Sequence, residues 1–182
     1  QQNERRKSEL DALQSQINPH FLYNTLESIT WMIETQKNDE AVFMISELAK
    51  LLRVSLSRGR TIIPISDELQ HGKSYMNIQK ARYKDRFQTE FIEEDDIGGY
   101  CIVKLVIQPI LENAIYYGVG VINVHSRIRL MFGEEYGLSI YSEPDEGTKV
   151  VIRIPAIPYT KENAEKLEKQ TYEQWGIRDE EK

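Results

Sequence analysis

The stretch QINPHFLYN, residues 16–24, decides how the first third of this chain is read. Pro19 sits inside an apolar periodicity, His20 follows it directly, and Asn24 lies one helical turn further on. Leu10, Leu13, Ile17, Asn24 and Trp31 fall on a three–four spaced seam, with Phe21 and Ile29 beside it. That spacing predicts helix, and residues 4–57 read as two of them without a single glycine. Pro19 removes one backbone donor and is expected to kink the first helix without ending it. Lys37-Asn38-Asp39 is the break, and Ala41, Ile45, Leu48, Leu52 and Leu56 form the stripe of the second helix. A lone helical hairpin has too little core to stand by itself, so self-association is expected.

Outward from the hairpin, residues 57–60 end it and Ile62 to Ile65 read as a short extended piece. Ser66 is the expected N-cap of a helix running to about Tyr83, with Asp67 and Glu68 in its acidic first turn and Leu69, Tyr75, Ile78 and Gln79 inward. Residues 87–94 alternate weakly as a strand, Gly98-Gly99 is a turn, and Ile102 to Tyr117 reads as one strongly apolar helix. Asn123 to Phe132 is a further helix. Leu138 to Ser142 and Thr148 to Ile154 are strands joined by the hairpin turn EPDEG, residues 143–147. Residues 160–182 are charged, with a stripe at Ala164, Leu167 and Trp175 that predicts a C-terminal helix and tail.

The 182 residues are 40% hydrophobic and 29% charged, enough apolar content for a packed core and too much for general disorder. A net charge of −6 argues against nucleic acid as a direct partner. One cysteine, Cys101, excludes an internal disulfide and any cysteine-rich zinc site; it reads as a small core residue. No stretch approaches the ~20 apolar residues of a membrane span, and the polar N-terminus has no signal-peptide core. The chain reads as soluble, and as a possible cytosolic part of a longer membrane protein.

Four blocks carry chemistry. His20 and Asn24 share a helix face, and a neutral imidazole offers a nucleophilic nitrogen; a lone helical histidine is more often a seam residue already hydrogen-bonded. Within QPILENAIYYG, residues 108–118, Glu112 and Asn113 interrupt an apolar helix. An amide oxygen there suits a hard cation such as magnesium, and a polar pair facing solvent is the plainer alternative. Gly118 and Gly120 precede a helix and would let backbone amides approach a phosphate. Thr148 closes a Glu146-Gly147-Thr148 turn. His71 and His125 lie in polar helical contexts and are expected to be solvated, and Trp31 is expected to pack in the bundle.

In order, the blocks PHFLYN, IPISDEL, IQKARYKDRF, QPILENA, GVGVINVHSRI and SEPDEGTKVVIRIP closely resemble bacterial sensor histidine kinases of the LytS/YesM type, over roughly residues 8–155. The resemblance implies an α+β chain. Residues 1–60 would be the dimerisation and phosphotransfer hairpin, forming a four-helix bundle in a homodimer. Residues 61–157 would be a GHKL-type ATP-binding sandwich, and residues 158–182 a C-terminal helix and tail. It implies His20 as phosphoacceptor with Asn24 as the polar residue after it. Asn113 would be the N-box asparagine that binds the magnesium of Mg2+-ATP, with Glu112 beside it. Gly118 and Gly120 would be remnants of the glycine box, and Thr148 the threonine near the base. Arg82 lies in a family segment without assigned chemistry. The implied partner is a response regulator, and the implied setting is the cytoplasmic side of a bacterial membrane sensor anchored upstream.

One departure matters. Between the N-box helix and the glycine box the family carries about two strands, an Asp-x-Gly-x-Gly motif and a lid, whereas Tyr117-Gly118 here runs straight into Val119-Gly120. Two readings follow: a stretch of the protein is missing from this sequence, which is the favoured one, or the sandwich is truly internally truncated, and then ATP binding is expected to be weak or absent. The competing function is a non-catalytic dimerisation scaffold.

Overall fold

The computed structural model describes residues 18–57, 60–84, 89–116, 121–143 and 147–174. It is α+β and mostly helical, with two small antiparallel sheets. The first helix, α1 (Pro19–Glu34), starts at Pro19. The expected kink is therefore a helix start. Proline at the first helical position gives up a donor that has no partner there anyway, and the Asn18 side chain accepts from the His20 N–H at 3.0 Å. Phe21, Thr25, Ile29 and Met32 of α1 point inward, whereas Asn24 is half-buried and Trp31 exposed, so the expected seam through Asn24 and Trp31 is not the buried face.

Helix α2 (Asn38–Leu56) buries Ala41, Met44, Leu48 and Leu51, and leaves Ile45 and Leu56 of the expected stripe exposed. Its inner face does not wait for a second copy. Strand β1 (Ile62–Pro64) leads into helix α3 (Ile65–Arg82), and Tyr75, Met76 and Ile78 of α3 close one core with the hairpin. Helix α3 begins one residue before Ser66, and its cap position is Pro64 with no side-chain cap bond.

Strand β2 (Cys101–Val103) pairs antiparallel with β1, Ile62 opposite Val103 and Ile63 opposite Ile102. The apolar run from Ile102 is thus a short strand, then a bend, and only then helix α4 (Ile107–Tyr116). Periodicity alone does not separate a fully buried strand from a buried helix segment. Cys101 is fully buried, as expected. Residues 89–94 form no strand, and residues 87–88 of that expectation lie outside the described residues. Gly72 lets α3 and α4 approach, since an added Cβ would lie 3.2 Å from Ile107 Cγ2.

Helix α5 (Val121–Phe132), strands β3 (Gly137–Glu143) and β4 (Gly147–Arg153), and helix α6 (Lys161–Gln174) complete the chain. The β3–β4 hairpin is in the expected place. Gly137 has φ +139°, and a Cβ there would strike the His125 ring at 2.7 Å, so glycine is required where β3 starts against α5. Val124, Ile128, Leu138, Ala164 and Leu167 build a second core around Ile62, Cys101 and Val103. Helix α6 is tied to β1 by Glu168, whose Oε1 accepts the N–H of Thr61 at 2.6 Å and of Ile62 at 2.9 Å. Leu10, Leu13, Ile17 and Trp175 lie outside the described residues.

Candidate functional site

His20 is the second residue of α1 and is exposed, because the helix start points it away from the Phe21 core. Asn24, one turn on, places its Nδ2 3.0 Å from His20 Nδ1 and 3.4 Å from Nε2. As drawn, the amide donates to an unprotonated ring nitrogen. Half a turn of the amide would instead present Oδ1 to an Nδ1–H and leave the Nε2 lone pair free, so the pair accommodates either tautomer of the neutral ring. Among the described residues no carboxylate bonds to the ring.

Asn24 also lines a groove of about 370 Å³, with Glu27, Ser28 and Trp31 on one wall and Arg82 and Lys84 on the other. Trp31 is 46% exposed rather than packed in a seam, and the ammonium groups of Lys37 and Lys84 lie 4.9 and 5.8 Å from its ring centroid.

On α4, Glu112 Oε1 accepts from Gln108 Nε2 at 2.9 Å and does not approach His20. Asn113 is half-buried, and its amide has no hydrogen-bond partner among the described residues. A free amide oxygen fits magnesium, which keeps several waters and takes one or two protein ligands beside phosphates. Among the described residues no group of three or more His, Cys, Asp or Glu forms a richer cage. Leu111 and Ile115 of α4 pack against the same core as Phe21, a core that Tyr75 and Ile78 of the intervening α3 also build. Gly118 and Gly120 lie outside the described residues. Thr148 pairs with Ser142 in the β3–β4 ladder.

Sequence reasoning missed a buried polar junction. Glu68, read only as an acidic first-turn residue, is fully buried and accepts the N–H groups of Leu105, Val106 and Ile107 at 2.7–2.9 Å. Arg127 donates to the carbonyls of Leu105 and Lys104 at 3.0 and 2.6 Å. Lys104 Nζ donates to the Ser55 carbonyl at 3.0 Å, joining α2 to the start of α4. Burial pushes the Glu68 carboxyl up, against the lowering effect of its three N–H partners. Burial lowers Lys104, helped by Arg127, and lowers Arg127, opposed by Glu68. The only signal was the position of an acid three residues into a helix.

The two histidines expected in solvent are not there. His125 is half-buried, its Nδ1 accepting the Leu138 N–H at 3.0 Å. His71 is fully buried, its Nε2 2.9 Å from Ser55 Oγ, and its Nδ1 is the one buried side-chain polar atom without a partner among the described residues. A polar helix context hid both, because tertiary contacts rather than local composition cover them. Burial lowers the His71 pKa from 6.5 to about 4. The unfolded chain therefore binds the extra proton more readily than the fold. The stability from a neutral His71 is complete above about pH 6.5 and is lost as pH falls towards 4, by about 3 kcal/mol at most. His71→Gln should flatten the fall in melting temperature between about pH 7 and pH 4.5; an unchanged slope removes this imidazole as its source.

The histidine kinase family matches this chain over residues 8–87. The chain is similar to the sensor histidine kinase YesM of Bacillus subtilis (34% identity over 194 residues, 82% of this chain and 34% of the relative). It is also similar to the sensor histidine kinase YpdA of Escherichia coli (31% over 199 residues, 82% and 34%). Sensor protein LytS of Enterococcus faecalis is 28% identical over 127 residues, 69% of this chain and 21% of that protein. The chain thus spans about a third of the length of YesM or YpdA. Both longer alignments exceed the 182 residues of the chain, so they open gaps in it. No solved structure matches. Matched by the family model over residues 8–87 and by YesM at 34% identity across 82% of its length, the chain belongs to the histidine kinase family, as a LytS/YesM-type member.

Proposed function

We propose that this chain is the phosphotransfer and ATP-binding part of a two-component sensor kinase, autophosphorylated on His20. The observation that carries the reading is an exposed imidazole paired at 3.0 Å with a single amide at the start of a helix. The imidazole nitrogen attacks the γ-phosphorus of ATP. An N–P bond forms as the γ-phosphorus parts from its bridging oxygen, ADP leaves, and the ring proton passes to water. A response-regulator aspartate then takes the phosphoryl group and restores the imidazole. Asn113 would hold magnesium through its amide oxygen, and the metal supplies charge neutralisation at the phosphates. Glu112, the backbone amides at Gly118 and Gly120, and Thr148 complete the nucleotide side by resemblance. Positioning supplies most of the catalysis.

The reading includes a homodimer. Opposite its buried face, α1 exposes Tyr23, Leu26 and Ile33, and α2 exposes Val42, Ile45 and Leu56. Their three–four spacing repeats on both helices, and a second copy of the hairpin would cover both stripes as a four-helix bundle. No described helix is long and apolar enough to cross a membrane.

Incubation with γ-labelled ATP and magnesium tests the proposal: acid-labile label on the chain is expected. Asn113→Ala should reduce that label at least about 10²-fold, because the phosphate charge loses its metal. A specific observation favours a second reading, a non-catalytic dimerisation scaffold. The described strands form two separate two-stranded ladders, and the relatives' alignments open gaps in this chain. Absence of label, together with no nucleotide-dependent melting shift, decides for the scaffold.

A further inference from the structure

The turn that launches α4 is held in an unusual way. Leu105 is a buried leucine with φ +59°, in the left-handed region that non-glycine residues enter only when their surroundings force them to. The N–H groups of Leu105, Val106 and Ile107 converge on one carboxylate, making the kind of backbone concavity that elsewhere receives an anion. Here Glu68 of α3 fills it. On the other side of the same turn, Arg127 of α5 grips the carbonyls of Lys104 and Leu105. The turn is therefore clamped by its donors and by its acceptors, from two helices other than α4 itself. Asn113 lies two turns into the helix that this clamp starts.

We propose that Glu68, opposed by Arg127, is a positioning residue that sets the rotation and depth of α4 and thereby the reach of Asn113 towards nucleotide-bound magnesium. The inference rests on the assignment of Asn113 made above. Without the carboxylate, three buried N–H groups lose their acceptor and the strained turn relaxes, turning the whole helix. Glutamine has the same size but the wrong polarity: its Nε2 would face the N–H it has to receive.

The test uses the whole chain, a fluorescent ATP analogue and a titration of magnesium chloride. Glu68→Gln should raise the magnesium concentration for half-maximal nucleotide binding about tenfold or more, the usual cost of losing a support behind a metal ligand. Its affinity for the metal-free nucleotide should change little. A merely structural role would lower the folded fraction and the binding amplitude but leave the half-point of the folded molecules in place, and that result overturns the inference. Should Glu68→Gln not fold, Arg127→Lys decides by the same half-point, since it keeps the buried charge and loses the paired bonds to the carbonyls. If the unaltered chain shows no magnesium-dependent binding at all, the nucleotide assignment of Asn113 fails, and this inference with it. If it binds and the half-point of the variant is unmoved, only the clamp fails.

Discussion

His20→Gln is expected to remove the acid-labile phosphoryl label to background while leaving the fold intact. The side chain is exposed and its only ring partner among the described residues is Asn24. Replacing it by a neutral amide should therefore change stability by no more than about 0.5 kcal/mol. The chemistry has no such tolerance, since a glutamine amide offers no nucleophilic lone pair. The linkage is diagnostic as well: a phosphorus–nitrogen bond is lost in acid and kept in base, whereas a serine or threonine ester behaves the opposite way. Label that survives in His20→Gln, or label stable to acid, would sink the phosphoacceptor assignment. Melting and helix content of the variant, matched to the parent, exclude unfolding as the cause.

Ile45→Glu is expected to convert the proposed dimer to a 21.3 kDa monomer without unfolding it. Ile45 is 51% exposed in the single chain, whereas Met44 and Leu48 are buried. The protomer core therefore does not feel the change. In a two-fold bundle the new carboxylate enters the seam twice, because both copies present the same patch. A buried and unpaired carboxylate costs several kcal/mol, so the dissociation constant should rise by at least about 10³-fold. Light scattering across a dilution series measures it. A dimer that persists at the same concentration would place the interface on another face.

Much of the fold was legible because local pattern was enough. The break between the hairpin helices (expected at residues 37–39, found at 35–37), the β3–β4 hairpin and the helices around Tyr75, Ile128 and Leu167 follow from apolar spacing and turn residues. The errors share one cause. Trp31 and Asn24 were placed on a seam that assumed a helix continuous through Pro19, and Ile45 and Leu56 were counted with the buried stripe of α2 although both are exposed. Both hairpin helices are apolar on two faces, and periodicity cannot say which face meets the protein's own α3 and which is left for a partner. The segment from Ile102 was equally ambiguous, since a strand buried on both faces and a buried helix have the same composition.

The candidate site divides along the same line. His20, Asn24 and Asn113 stood out as candidates by residue type, and only the family resemblance attached the proposed roles to them. Their exposure, the amide–imidazole contact, the burial of His71 and the Glu68–Arg127 clamp came only from the tertiary structure. Sequence carries what each group can do and which neighbours lie within a turn. Desolvation and long-range hydrogen bonds depend on which distant segments arrive at the same place, and Glu68 meets its partners across nearly 40 residues of intervening chain.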